Sequence, residues 1–153
     1  MMPYRKKSDV EALLREVREI YAMLEQVPIE RDCIRRTECC YFTRTGLTPQ
    51  LTAGEGVLAA KAWRASGRKE IKPRADGGCP MLIGDLGKGK CAIYADRPFG
   101  CRTHFCEAAG GPYARRDVVE LIRRLEAIDN AFGGKGPKSL AASIEEGMQW
   151  KGV

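Results

Sequence analysis

Hydrophobic residues recur at helical spacing near the start of the chain. In the stretch after Ser8 they fall on one face of a helix, at Val10, Leu13, Leu14, Val17, Ile20, Tyr21 and Leu24. Ser8 and Glu11 have the spacing of a capping box, in which two side chains satisfy free backbone N–H groups of the first turn. The pattern predicts an amphipathic helix with Ser8 as its N-cap, ending before Pro28 and packing on the core.

Three later segments also predict helices. Thr52 and Glu55 repeat the capping-box spacing, and the helix that they open is expected to end at Gly67. The longest helix is predicted over 113–132, and a final helix over about 139–150. Basic and acidic residues balance along 113–132, which favours a solvated face over a nucleic-acid surface.

Between these helices the pattern changes to short strands. Residues 80–83 and 91–94 are strand-like, and the stretch 84–90 that separates them is rich in glycine and charge. The predicted hairpin brings Cys79 and Cys91 close together.

A helical turn is predicted directly after the hairpin. Asp96 is expected to cap it, and Pro98 suits an early position in a helix. This turn carries Cys101 and Cys106 toward the two cysteines of the hairpin.

These elements together predict an α+β, mostly helical fold for the 153-residue chain. The prediction is a small single domain over 1–153, in which a short β-hairpin and a cysteine-rich metal-binding centre pack against about four helices. The cysteine-rich core is assigned to 33–106 and the C-terminal helices to 113–150.

Charge adds one further feature. The net charge is +6, and the segment from Arg31 to Arg74 holds ten Lys or Arg against four Asp or Glu. Such a segment is able to attract nucleic acid or an acidic protein partner, although a solvated surface is the favoured interpretation. No apolar run is long enough to span a bilayer and no apolar signal segment follows the basic start, so a cytoplasmic protein without a membrane partner is predicted.

The cysteines supply the candidate chemistry. The chain has seven, an odd number that excludes complete disulfide pairing, and a reducing cytoplasm would keep the thiols free. Thiolates select zinc or iron–sulfur clusters over hard cations. The predicted metal ligands are Cys33, Cys39, Cys40, Cys79, Cys91, Cys101 and Cys106.

The spacing of these cysteines leaves alternatives open. Each metal centre takes four ligands, and the cysteine runs of ferredoxins are absent, which favours zinc over iron–sulfur. One centre drawing on both cysteine groups is preferred to two. Adjacent side chains point in different directions, so either one of Cys39 and Cys40 binds metal while the other packs in the core, or the two serve different centres.

The stretch from Cys79 to Cys106 resembles the YkgJ-type cysteine-cluster family of zinc- or iron-chelating proteins. The matching residues are Cys79-Pro80, Cys91-Ala92-Ile93-Tyr94, Arg97-Pro98, Cys101-Arg102 and Cys106, and upstream Cys33, Cys39 and Cys40. Two positions depart from the family pattern: Arg36 replaces a cysteine, and His104-Phe105 replaces Phe-Pro.

The resemblance implies a chelated zinc or iron–sulfur cluster in a structural or electron-transfer role. It also offers two enzyme alternatives, an iron–sulfur oxidoreductase and a protein-modifying enzyme, since a flagellin lysine methylase carries a similar cysteine cluster. A basic adaptor for nucleic acid or an acidic partner is the remaining hypothesis.

Three other side chains accompany the cysteines. Arg97 and Arg102 are predicted to donate hydrogen bonds to sulfur, with a helix-end salt bridge as the alternative for Arg97. His104, the one histidine, stands where the family has an apolar ring, so packing is favoured over direct ligation.

Overall fold

A computed structural model describes residues 6–27, 48–84, 89–103 and 114–150. The fold is α+β and mostly helical, as the sequence predicts. Its elements in chain order are α1 (Lys7–Glu25), β1 (Gln50–Leu51), α2 (Ala53–Ala65), β2 (Leu82–Ile83), β3 (Lys90–Cys91), a 3₁₀ turn (Tyr94–Asp96), α3 (Phe99–Thr103), α4 (Arg115–Ala131), β4 (Lys138–Ser139) and α5 (Leu140–Gly147).

Helix α1 buries the predicted apolar stripe, with Leu13 partly buried at its margin. Its predicted start is wrong. The N-cap is Lys6, whose carbonyl oxygen accepts the N–H groups of Asp9 and Val10, and no side chain caps the helix. Because Ser8 already lies inside the first turn, its hydroxyl is not at the capping position.

Helix α2 begins as predicted, since Thr52 and Glu55 form the capping box and Gly67 follows the helix with a positive φ. This helix is buried on almost every side. A Cβ on Gly56 would stand 2.6 Å from the carbonyl oxygen of Ser143, and one on Gly147 would stand 2.5 Å from that of Gly56. Glycine at these positions therefore lets α2 and α5 pack with their backbones in close contact.

Two apolar clusters lie on opposite sides of α2. One joins α1, α2 and α4 through side chains such as Ile20, Leu58 and Leu125. The other joins α2 and α5 to the hairpin region, and it includes Trp63 and Ile144. Helix α2 is thus the element on which the other helices and the hairpin are assembled.

Helix α4 buries Val118, Leu121, Leu125 and Ile128 and ends at Ala131, and α5 begins after Ser139 as expected. At 17 residues α4 is shorter than the 19 residues of α1, so the prediction that it is the longest helix is wrong. Strands β1 and β4 form an antiparallel pair that the sequence does not predict, with Gln50 opposite Ser139. In the described ranges, no helix has the length and apolarity that crossing a membrane requires.

Candidate functional site

The structure describes three of the predicted ligands, Cys79, Cys91 and Cys101, and all three are thiols. The other four predicted ligands lie outside the described residues, as does His104. These ligands are Cys33, Cys39, Cys40 and Cys106. Of the basic segment from Arg31 to Arg74, the structure describes residues 48–74, and residues 31–47 lie outside the described part.

The hairpin carries two of these thiols. Strand β2 pairs with β3, with Leu82 opposite Cys91, and the N–H of Leu82 donates to the carbonyl of Cys79 at 3.0 Å. Cys79 is 5% exposed and belongs to the same apolar cluster against which the half-buried Cys91 packs. The hairpin is therefore confirmed, and both cysteines adjoin one buried cluster.

The returning strand is shorter than predicted. It ends at Cys91, whereas the sequence predicts strand to Tyr94. The chain turns immediately afterwards, and the carbonyl of Ile93 accepts the N–H of Asp96 within the 3₁₀ turn. Burial of the Ile93 side chain in the apolar cluster accompanies this change of direction.

Arg74 clamps the hairpin from the preceding loop. Its Nη1 and Nη2 donate to the carbonyl oxygens of Leu82 and Gly84, each at 2.9 Å. The same guanidinium forms a bidentate pair with Asp76, and Asp76 also accepts the N–H of Gly78 at 3.0 Å. These hydrogen bonds, of which those from Arg74 have the largest effect, lower the pKa of Asp76 to about 2.

Asp96 does not cap a helix, contrary to prediction. It ends the 3₁₀ turn, and its carboxylate accepts two hydrogen bonds from Arg18 of α1, at 3.1 and 3.2 Å. Helix α3 instead begins after Pro98, whose carbonyl accepts the N–H groups of Cys101 and Arg102. The ion pair thus fastens the turn before α3 to α1.

Glu55 lies at the centre of the contacts around α3 and is only 2% exposed. Its Oε1 accepts the hydroxyl of Tyr21 at 3.0 Å and the N–H of Phe99 at 2.7 Å. Its Oε2 accepts the N–H and the hydroxyl of Thr52, both at 3.0 Å. Burial raises the pKa of Glu55, and these donors oppose that rise by stabilising the charged form.

Arg102, which is 8% exposed, supplies further contacts to α3. Its Nε and Nη2 donate to the carbonyls of Arg97 and Ala95, and its Nη1 pairs with Glu25 of α1 at 2.9 Å. The guanidinium also lies 4.3 Å from the centre of the Tyr21 ring, a cation–π contact. Burial lowers the pKa of Arg102.

Tyr21 connects this network to a cysteine. Burial and the neighbouring Glu55 raise the pKa of the phenol well above its usual range. Cys101 is a smaller contributor to this rise in the Tyr21 pKa. The sequence does not reveal this network: Thr52 and Glu55 signal a capping box, and nothing in the pattern links Glu55 to Phe99.

Arg97 has a different environment from Arg102. Its guanidinium lies 4.2 Å from the centre of the Tyr94 ring. Within the described part of the chain, its Nε is buried and has no hydrogen-bond acceptor. A buried N–H without an acceptor is costly, and an anionic sulfur is one group that would satisfy it.

No three His, Cys, Asp or Glu side chains among residues 6–27, 48–84, 89–103 and 114–150 come together to hold a metal ion. The described residues thus provide three thiols and one buried donor suited to thiolate, and the rest of the predicted ligand set lies outside them. Comparison with models of protein families, with curated proteins and with solved structures finds no match for this chain.

Proposed function

We propose that the protein is a metal-binding cysteine-cluster protein that chelates zinc or an iron–sulfur cluster in a structural or electron-transfer role. The proposed ligands come from Cys33, Cys39, Cys40, Cys79, Cys91, Cys101 and Cys106. A reducing cytoplasm is the proposed compartment, because thiols remain free to bind metal there.

The observation that carries this proposal is the folding of the cysteine segment, which we define as residues 79–84 and 89–103. It places two thiols on one hairpin beside a shared apolar cluster, and a third on the short helix that follows. These three thiols do not form a ligand group by themselves, so a centre of four thiolates would also draw on Cys33, Cys39, Cys40 and Cys106.

Arg97 gives independent support. Thiolates around a metal carry negative charge, and a nearby N–H donor stabilises that charge. Each nitrogen of Arg102 already donates to an oxygen, whereas Nε of Arg97 is buried without an acceptor in the described residues. Arg97 is therefore the better candidate for a hydrogen bond to a ligand sulfur.

The bound group would determine the role of the protein. Four thiolates around zinc form a closed structural site, whereas an iron–sulfur cluster supplies one-electron transfer.

Elemental analysis and a visible spectrum of protein purified without oxygen test the proposal. We expect stoichiometric zinc, or iron with sulfide and visible absorption. Cys91→Ser and Cys101→Ser should each lower the metal content, whereas Thr103→Ser, on the same short helix and outside the predicted ligand set, should retain it.

The metal found also separates the alternatives. Iron with sulfide would favour electron transfer or the oxidoreductase alternative, and zinc alone would favour a structural site. Wild-type protein without bound metal after expression in zinc- and iron-supplemented medium would overturn the proposal. Full metal content in both cysteine variants would likewise exclude these two ligands.

A further inference from the structure

Glu55 links three elements that are far apart in sequence. It accepts hydrogen bonds from Tyr21 on α1, from Thr52 at the start of α2 and from Phe99, the first residue of α3. All of these contacts are buried. One carboxylate thus fixes the helix that carries Cys101 against α1 and α2.

Helix α3 depends on such external contacts. It has five residues, far fewer than a helix needs to be stable by itself in water. The bond from Phe99 to Glu55 is 2.7 Å long and holds the first residue of α3, two positions before Cys101. The direction in which α3 presents Cys101 is consequently set at this bond.

We infer that Glu55 is a positioning residue for the metal centre, holding α3 so that the Cys101 thiol is preorganised for binding. This inference rests on the proposed metal-binding function. Glu55 itself is not a ligand in this scheme, because both of its oxygens are occupied by donors from the protein. Its effect on the metal passes through the backbone of α3.

A second buried carboxylate provides a matched control. Asp129 is 3% exposed, and its two oxygens accept the N–H groups of Ala53 and Gly136. Like Glu55, it therefore receives a backbone N–H on each oxygen and contacts the start of α2. Unlike Glu55, it lies on α4, and its hydrogen bonds in the described residues reach Ala53 and Gly136 instead of α3.

Replacing either carboxylate by its amide has the same local consequence. A carboxamide offers one oxygen. In Glu55→Gln that oxygen can accept the N–H of Thr52 or the N–H of Phe99, and whichever N–H is left then faces the NH₂ group. In Asp129→Asn the same conflict arises between Ala53 and Gly136. The two variants thus differ chiefly in whether the disturbance reaches α3.

The experiment compares wild type, Glu55→Gln and Asp129→Asn. The affinity for Zn²⁺ is measured by competition with a chromophoric chelator, equilibrium unfolding gives stability, and amide exchange of residues 100–103 in metal-free protein reports on α3. We expect Glu55→Gln to weaken Zn²⁺ affinity about 10- to 100-fold, the effect typical of removing a partner that orients a ligand. Its α3 amides should also exchange faster.

Asp129→Asn should lower stability and leave both the Zn²⁺ affinity and the α3 exchange close to wild type. Equal loss of affinity in the two variants would overturn the inference, because it would show a general effect of stability. Unchanged α3 exchange in Glu55→Gln would overturn it as well. If wild type binds neither zinc nor an iron–sulfur cluster, the proposed function fails, and the inference about the metal fails with it. Faster α3 exchange in Glu55→Gln would then show only that Glu55 holds the helix.

Tyr21→Phe provides a second variant should Glu55→Gln fail to fold. It removes one donor from Glu55 and keeps the ring on which Arg102 lies. A smaller loss of Zn²⁺ affinity, again with faster exchange in α3, is expected. Wild-type affinity combined with wild-type exchange in this variant would contradict the inference.

Discussion

The helical body, which we define as α1, α2, α4 and α5, and the cysteine segment are held together by different interactions. The body consists of helices of 8 to 19 residues whose apolar side chains fill the core. The cysteine segment has two-residue strands, a three-residue 3₁₀ turn and a five-residue helix. Arginine and glutamate side chains that bind its backbone groups hold much of it in place.

The two regions are therefore stabilised by interactions with different physical properties. Burial of apolar surface is non-directional and stabilises the body as a whole. Hydrogen bonds to single backbone groups fix direction, which a set of converging ligands requires. The cysteine segment therefore relies on the body for its position, and a bound metal would add stability to its short elements.

Replacing a glycine by alanine should have opposite effects on stability in the two regions. Gly56→Ala places a Cβ 2.6 Å from the carbonyl oxygen of Ser143, so the backbones of α2 and α5 must separate. We expect the free energy of unfolding to fall by about 3 kcal/mol. Among the described residues, Gly100→Ala in α3 meets nothing closer than Pro49 at 3.9 Å, and it should raise stability by up to about 1 kcal/mol through helix propensity.

Urea unfolding of both variants, followed by far-UV circular dichroism, measures these changes. A Gly56→Ala protein as stable as wild type would mean that the body does not depend on close packing of α2 and α5. Marked destabilisation by Gly100→Ala would show that the cysteine segment is as tightly packed as the body.

Arg74 tests the polar support of the hairpin directly. Arg74→Ala removes the donors to Leu82 and Gly84, so the hairpin should open locally while the helical body keeps its unfolding midpoint. The measurement is amide exchange of Ala92, whose N–H donates to Met81 across the hairpin, compared with amides in α1. Equal loss of protection in both regions would contradict a separate role for this clamp.

The clamp should also respond to acid. Arg74 lowers the pKa of Asp76 from 3.8 to about 2, so the stabilisation is complete above pH 3.8 and is lost as the pH falls through about 2. The Gly78 amide, which donates to Asp76, should show an NMR shift with that midpoint. Asp76→Asn removes the titrating group, and persistence of the shift in that variant would exclude Asp76 as its cause.

The smallest expected effect concerns the ion pair between the two regions. Arg18 is 54% exposed and Asp96 16%, so solvent screens their attraction. Arg18→Ala should lower the free energy of unfolding by about 0.5 kcal/mol at low salt, and by less at high salt. Arg123→Ala, which breaks an exposed pair with Glu120 inside α4, is the matched control.

Amide exchange of the 3₁₀ turn at Asp96 and Arg97 distinguishes these two variants. Only Arg18→Ala should accelerate it, because only that pair reaches the cysteine segment. Equal acceleration by Arg123→Ala would show that the turn senses general stability instead.

The helices were predictable because their periodicity depends on local spacing. The buried apolar residues of α1 and α4 follow from their spacing, whereas burial of Asp129 on α4 does not. Prediction of helix starts from capping motifs is less reliable, since the capping-box motif marks the N-cap at Thr52 but not at Ser8. At Thr52 a buried partner network reinforces the box, whereas the start of α1 is exposed and the helix begins two residues earlier than predicted.

The site was predictable only in its chemistry. Cysteine content and spacing indicate candidate ligands, because thiolate preference is a property of the residue type. The support for Cys101 depends on the bond between Glu55 and Phe99, which joins residues 44 apart. The pairing of β1 with β4 was missed for a related reason: two-residue strands carry no periodic signal.

The pairing of β1 with β4 also has a kinetic consequence. It joins Leu51 to Lys138, so the entire cysteine segment lies inside the loop that this pair closes. Closing a loop of this length costs on the order of 4 kcal/mol of chain entropy. Contacts between distant parts of a sequence slow folding, so the thiols should remain open to solvent during early folding, when oxidation or an incorrect metal competes with native assembly.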